Sequence, residues 1–172
     1  MSRARAVSWQ EQALARHHDR AGFDCGVPAL NEFLARYARQ SQESGGARTF
    51  VAVSPGAPAT VLGYYTIGPG AIAFAKTPAK ITRALGRYEV PVFRLGRLAV
   101  SLDTQGRGLG ADLLYAAGER AIAVAQQVGG VALAIDAKDE KAAAWYERFG
   151  ALRLIDDPLK LILPLETIRS TI

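Results

Sequence analysis

Three glycines alternate in the run Gln105-Gly-Arg-Gly-Leu-Gly110, between an apolar stretch that ends near Val100 and a helical pattern that starts near Leu109. The start of a helix leaves backbone N–H groups unpaired and carries partial positive charge, so it attracts phosphate. Gly106, Gly108 and Gly110 remove the side chains that would hold a phosphate away from those groups, and Arg107 supplies a charge-assisted contact at the rim. Two other readings use the same residues. One is a tight glycine turn without a ligand. The other is a dinucleotide fingerprint, Gly106-x-Gly108-x-x-Ala111, with Asp136 as the ribose-binding acid. That fingerprint normally opens a domain on its first strand, whereas about a hundred residues of antiparallel character come first here.

The elements that must position this turn follow from apolar spacing. Leu30, Phe33, Leu34 and Tyr37 predict a helix over Val27–Gln42, with Pro28 in its first turn and Gly45-Gly46 beyond its end. Thr49–Val53 and Val61–Ile67 are β-rich and flank the turn Ser54–Pro58, which predicts an antiparallel hairpin. A basic, loosely helical segment covers Lys76–Arg87. Val90–Val100 is a strand interrupted by Gly96, and a glycine there marks a bulge or a close approach. Leu109, Leu113, Ala117, Ala121, Val124 and Val128 recur at helical spacing until Gly129-Gly130. Val131–Ile135 has the continuous apolar run of a buried central strand. Asp139 caps a helix that reaches Phe149 and stops at Gly150, and Leu152–Ile155 and Leu159–Leu163 form two last strands.

Composition narrows the class. A chain of 172 residues with 49% hydrophobic and 22% charged residues is expected to be one domain, residues 1–172. Cys25 is the only cysteine and the histidines are the adjacent His17 and His18, so neither an intramolecular disulfide nor metal-ligand spacing is present; Cys25 reads as a small buried hydrophobe. No apolar run is long enough to span a bilayer and no signal-peptide core follows Met1, which makes cytoplasmic residence the expectation. The net charge is +5, and Lys76, Lys80, Arg83, Arg87, Arg94 and Arg97 against Glu89 account for a surplus of that size in one segment. Such a cluster suits an anionic partner such as nucleic acid, or is a solvated basic surface.

Gln105-x-x-Gly108-x-Gly110, preceded by the strand Arg97-Leu-Ala-Val100, resembles the acetyl-CoA motif of GNAT acetyltransferases. The segments Gly22-Phe-Asp-Cys-Gly26, Gly63-Tyr-Tyr65, Val92–Val100 and Ala144-Trp-Tyr-Glu-Arg-Phe-Gly150 further resemble the GNAT toxins of bacterial toxin–antitoxin modules, over about Phe23 to Leu165. The resemblance implies an α/β fold: a mixed, mostly antiparallel sheet flanked by helices, with splayed central strands that admit pantetheine beside Leu98, Ala99 and Val100. It implies acetyl-CoA held at Gln105, Gly106, Arg107, Gly108, Leu109 and Gly110. It implies transfer of acetyl to the α-amine of an aminoacyl-tRNA, which blocks translation, together with a homodimer and a ribbon-helix-helix antitoxin. The alternatives are a GNAT enzyme for a protein N-terminus or a small amine, and a non-catalytic CoA- or nucleotide-binding module.

Within that pattern Tyr146 matches the catalytic tyrosine that protonates the departing thiolate, and a phenol with a pKa of about 10 carries its proton at neutral pH. Without the match, packing beside Trp145 and Phe149 is the favoured explanation. Many members carry asparagine where this chain has Asp139, which keeps a helix cap but weakens the case for a CoA contact there. Arg94 to Leu102 holds no acid, so the chain offers no carboxylate on that strand to deprotonate a lysine near pKa 10.4. An α-amine near 8 needs less help, which favours an aminoacyl ester or an N-terminus. Arg83, Arg87, Arg94 and Arg97 are the candidates for tRNA contacts.

Overall fold

The computed structural model describes residues 6–83, 85–86 and 88–171. Its strands are β1 (Gln10–Ala13), β2 (Arg48–Ser54), β3 (Ala57–Ile72), β4 (Val90–Val100), β5 (Ala132–Asp136), β6 (Leu152–Leu154) and β7 (Asp157–Pro164). Hydrogen-bonded neighbours follow the order β1, β2, β3, β4, β5, β7, β6. β4–β5 is parallel, whereas β1–β2, β2–β3, β5–β7 and β6–β7 are antiparallel, giving the expected mixed sheet. The helices are α1 (Pro28–Glu32), α2 (Ala38–Glu43), α3 (Ala79–Thr82), α4 (Leu109–Val128), α5 (Glu140–Glu147) and α6 (Leu165–Arg169). By packing, the chain forms two compact units, one of residues up to Ile67 plus Arg97–Ala116 and one of Gly68–Gly96 plus Ala117–Ile172. Strands β3 and β4 and helix α4 contribute residues to each.

In the first unit, the single helix expected over Val27–Gln42 is interrupted by a π-helical turn, Phe33–Tyr37, between α1 and α2. A π turn takes up one extra residue, so the apolar stripe slips: Ala38 enters the core with no exposed surface, and Tyr37, expected in the stripe, is 50% exposed. Phe23, Leu34, Val51, Val53 and Ala99 bury around Tyr64, whose phenol donates to the Leu30 carbonyl at 2.7 Å. The hairpin turn is tighter than expected: Ser54 pairs with Ala57, leaving only Pro55 and Gly56 in the loop, and two register shifts beside Val53 absorb the twist. Strand β1 had no alternation to reveal it; the polar run Gln10-Glu-Gln forms an edge strand on β2.

Gly63 on β3 lies against the main chain of another strand. A Cβ there would sit 2.8 Å from the Ala99 carbonyl oxygen of β4 and 2.9 Å from Leu113 Cδ1 of α4. Backbone cannot yield as a side chain does, so Gly63→Ala is expected to lower unfolding free energy by about 1–3 kcal/mol, read from a denaturant midpoint with an unchanged slope. A loss under about 0.5 kcal/mol would show that the strands part freely at this point.

In the second unit, Ala132, Leu133, Ala134 and Ile135 of β5 are all buried, as a central strand requires. The stripe expected along α4 holds through Ala121, but Val124 and Val128 are 40% and 76% exposed, so the helix outlasts its buried face. The basic segment is a 3-10 turn, Phe74–Lys76, followed by the short α3, with Ile81 and Leu85 packed on Val90, Val92 and Ala134. β7 begins at Asp157, two residues earlier than expected, because Asp156 takes a left-handed conformation (φ 64°) that closes a two-residue hairpin with β6. Helix α6, not foreseen, buries Leu165 and Ile168.

Candidate functional site

The glycine turn belongs to the first unit. β4 ends at Val100, a 3-10 turn spans Leu102–Thr104, and α4 begins at Leu109. Gly106 and Gly108 have φ of +80° and +87°, and a Cβ at either would meet nothing within 4 Å. Glycine is therefore needed here for backbone handedness, with open space in front of it. The first bond into the helix runs from the Asp112 amide to the Gly108 carbonyl at 3.1 Å, and the six amides from Gly106 to Ala111 donate to no described residue. Six free N–H groups at the positive end of a 20-residue helix form a cradle that fits a diphosphate such as that of CoA. Arg107 is exposed at its edge.

Side chains behind the turn hold its shape. The Gln105 side-chain amide donates to the Val100 carbonyl at 2.9 Å and to the Cys25 carbonyl at 3.0 Å, so Gln105 acts as a clamp on the turn. The segment it grips is itself braced. Asp24 accepts from the Gly26 amide and from Asn31 Nδ2, each at 2.9 Å, and Asn31 Oδ1 accepts from the Cys25 amide at 2.9 Å. Those bonds, the Gly26 amide first, hold the Asp24 carboxyl below its ordinary pKa. The Leu102 amide also donates to the Asp24 carbonyl at 2.8 Å. Phe23–Gly26 is thus a support for the glycine turn, and Cys25 is a buried free thiol, as its sequence context suggested.

Pairing of β4 with β5 ends at Leu95 opposite Ile135, while β4 runs on to Val100. Leu98, Ala99 and Val100 lie on the part of β4 beyond its paired stretch with β5.

The second unit carries Tyr146, on α5. Asp139 caps this helix by accepting from the Ala142 amide at 2.8 Å, so its carboxylate has a structural task. Tyr146 is 8% exposed, and its ring meets Trp145 edge-on with centroids 5.0 Å apart; Trp145 packs in turn on Phe149 at 4.7 Å. The packing reading is therefore true of the ring. The hydroxyl is another matter, since it bonds to no described residue, and burial pushes its pKa above the ordinary 10. A buried phenol that keeps its proton and has no internal partner is suited to give that proton to a bound group.

The basic candidates are not all free. The Arg97 guanidinium stacks on the Phe33 ring, 3.5 Å from its centroid, within the first unit. In the second unit Arg94 reaches Asp136 at 3.9 Å, its side chain lying across Gly70, and Arg83 is exposed after α3. Arg87 lies outside the described residues. A cavity of about 180 Å³ in the second unit is lined by Arg94, Asp136 and Lys76, and also by Asp157 and Lys160 over an apolar floor that includes Ile72. Sequence reasoning did not single out Lys160, since one lysine within a strand carries no signal. It also missed Arg153, whose contacts to α5 are described below.

The GNAT acetyltransferase family model matches residues 12–151. A tRNA-acetylating toxin of Mycobacterium tuberculosis is 35% identical over 154 residues, 90% of each chain. Among solved structures, AtaT complexed with acetyl-methionyl-tRNAfMet is 27% identical with a TM-score of 0.85, covering 95% of this chain and 99% of that one. A tyrosine-to-phenylalanine mutant of AtaT bound to the C-terminus of the antitoxin AtaR and acetyl-CoA is 27% identical with a TM-score of 0.80, covering 96% and 98%. With the matched region enclosing the glycine turn, the end of β4 beyond its pairing with β5 and the buried phenol, the chain belongs to the GNAT acetyltransferase family.

Proposed function

We propose that this chain is a toxin that transfers an acetyl group from acetyl-CoA to the α-amino group of an aminoacyl-tRNA, blocking translation. The observation that carries this reading is its 35% identity, over 90% of both chains, to a tRNA-acetylating toxin. Acetyl-CoA supplies an activated thioester. The amides of Gly106 to Ala111 hold its diphosphate, Gln105 keeps the turn in shape, Arg107 adds charge at the rim, and the main chain of Leu98, Ala99 and Val100 aligns the pantetheine arm. Tyr146 keeps a proton for the departing thiolate. Asp139 fixes the start of α5, and its carboxylate, engaged with Ala142, contributes to cofactor binding through that helix.

The basic residues orient the RNA. Arg94 and Arg83 are exposed, and Lys76 and Lys160 share a cavity with Arg94, which supports contacts to phosphates near the acceptor end. The partners are the aminoacyl-tRNA, a second copy of the chain, and an antitoxin of the ribbon-helix-helix class; the AtaT mutant with the AtaR C-terminus supports an antitoxin partner. No helix among the described residues is long and apolar enough to cross a membrane, in keeping with a site of action among cytoplasmic tRNAs. The two packed units act as one catalytic domain.

Brief expression followed by mass spectrometry of total tRNA is expected to show acetylated aminoacyl adenosine. Purified protein is expected to acetylate aminoacyl-tRNA faster than peptide N-termini, and both faster than free lysine. A preference for lysine would contradict the acceptor assignment, and a preference for peptide N-termini would replace the tRNA with a protein substrate.

A further inference from the structure

The guanidinium of Arg153, on β6, uses every donor it has. Nε and one terminal nitrogen donate to Glu147 Oε1 at 3.0 and 2.6 Å. Two terminal N–H groups grip Glu140 through both of its oxygens at 2.8 and 2.6 Å, and the fifth reaches the Pro158 carbonyl at 3.2 Å. Glu140 and Glu147 are the first and last residues of α5, seven apart and so on one face of the helix. Without the cation between them the two carboxylates would repel. With it, both ends of α5 are tied to the β6–β7 hairpin by a fork whose side chain is 24% exposed. The number of contacts separates it from the ion pairs of Arg36 with Glu32 and Arg39 with Glu43, which hold one contact each at 3.5 and 3.0 Å.

We infer that Arg153 is a positioning residue for acetyl transfer, setting the placement of α5 and through it the Tyr146 hydroxyl. The inference rests on the assignment of Tyr146 as the proton donor. Glu147 follows Tyr146 directly in the chain, and the phenol has no hydrogen bond of its own to fix it among the described residues. The ring is held by its packing, and the helix that carries it is held by Arg153. Only a planar fork with five donors can satisfy both carboxylates and the carbonyl together; a lysine offers three donors from one point.

The test compares kcat, KM for acetyl-CoA and melting temperature for the wild type, Arg153→Lys, Tyr146→Phe and the double variant. Arg153→Lys is expected to lower kcat by about tenfold or more, with KM for acetyl-CoA within about twofold, because a small misplacement of a reacting group is costly in rate. In the Tyr146→Phe background the same change is expected to alter kcat by less than about twofold, since its effect passes through the missing hydroxyl. Equal losses in both backgrounds, or an unaltered kcat in Arg153→Lys, would overturn the inference. A Tyr146→Phe enzyme with full activity would instead overturn the assignment on which it rests. Should Arg153→Lys lower the melting temperature enough to obscure the rates, Glu140→Gln with Glu147→Gln removes the same fork while retaining the arginine, and the same comparison applies.

Discussion

Tyr146→Phe is expected to lower kcat for acetyl transfer by about 100-fold or more, within the range of about 10²–10⁴ typical of a positioned general acid. Affinity for acetyl-CoA should stay within about twofold, since the cradle of amides lies elsewhere in the chain. Stability provides the internal control. The hydroxyl makes no hydrogen bond to a described residue, so deleting it leaves no donor or acceptor stranded, and the melting temperature should hold or rise slightly. The pH profile has a definite sign. Because burial raises the phenol's pKa above 10, the proton stays in place throughout the working range; the rate should climb as the acceptor amine deprotonates and show no descending limb below about pH 10. A falling limb near pH 8 that vanishes in Tyr146→Phe would mean that the phenol ionises far more readily than its surroundings allow.

Gly108→Val is expected to raise the dissociation constant for acetyl-CoA by at least about 30-fold, measured by calorimetry, and to lower unfolding free energy by no more than about 1–2 kcal/mol. Two causes act together. A β-branched residue at φ +87° costs on the order of 1–2 kcal/mol, and the turn relaxes away from the amide arrangement that faces the ligand. The new side chain also points into open space, where the proposed site would hold the diphosphate, and would displace hydrogen bonds to a charged group worth about 1.5–3 kcal/mol each. Arg107→Ala removes only a rim charge and should change affinity much less. Near-equal losses in the two variants would shift the main grip from backbone to guanidinium.

Some of this was written plainly in the amino acids. The glycine spacing located the turn and the helix it opens, Asp139 and Gly150 bracketed α5, and the apolar run over Val131–Ile135 marked the central strand to within one residue. These features are local, set by capping, handedness and burial on both faces. What stayed hidden depends on partners distant in sequence. Nothing near Gln105 says that its amide reaches the Cys25 carbonyl 80 positions away, and nothing near Arg153 says that two glutamates of another element converge on it. The slip of the stripe from Tyr37 to Ala38 was invisible for a related reason: a π turn has no strong residue signature, so a plain 3.6-residue period assigned the wrong residue to the core. Edge strand β1 is formed by polar residues whose only reason to extend is the neighbour they pair with.

In the proposed cofactor site the surface offered to the phosphates is main chain, and that decides which inherited changes the protein would tolerate. An amide is the same whatever residue bears it, so the identity at Ala111 is free to drift without altering the groups that would face the phosphates, and a change at Arg107 costs only a rim charge. Gly106 and Gly108 have no such latitude. Any one-base change that replaces glycine by another amino acid brings in a Cβ, and the conformation at both positions disfavours one. Bacteria selected for surviving forced synthesis of this chain should therefore carry their disabling lesions at those two codons far more often than at the codons beside them.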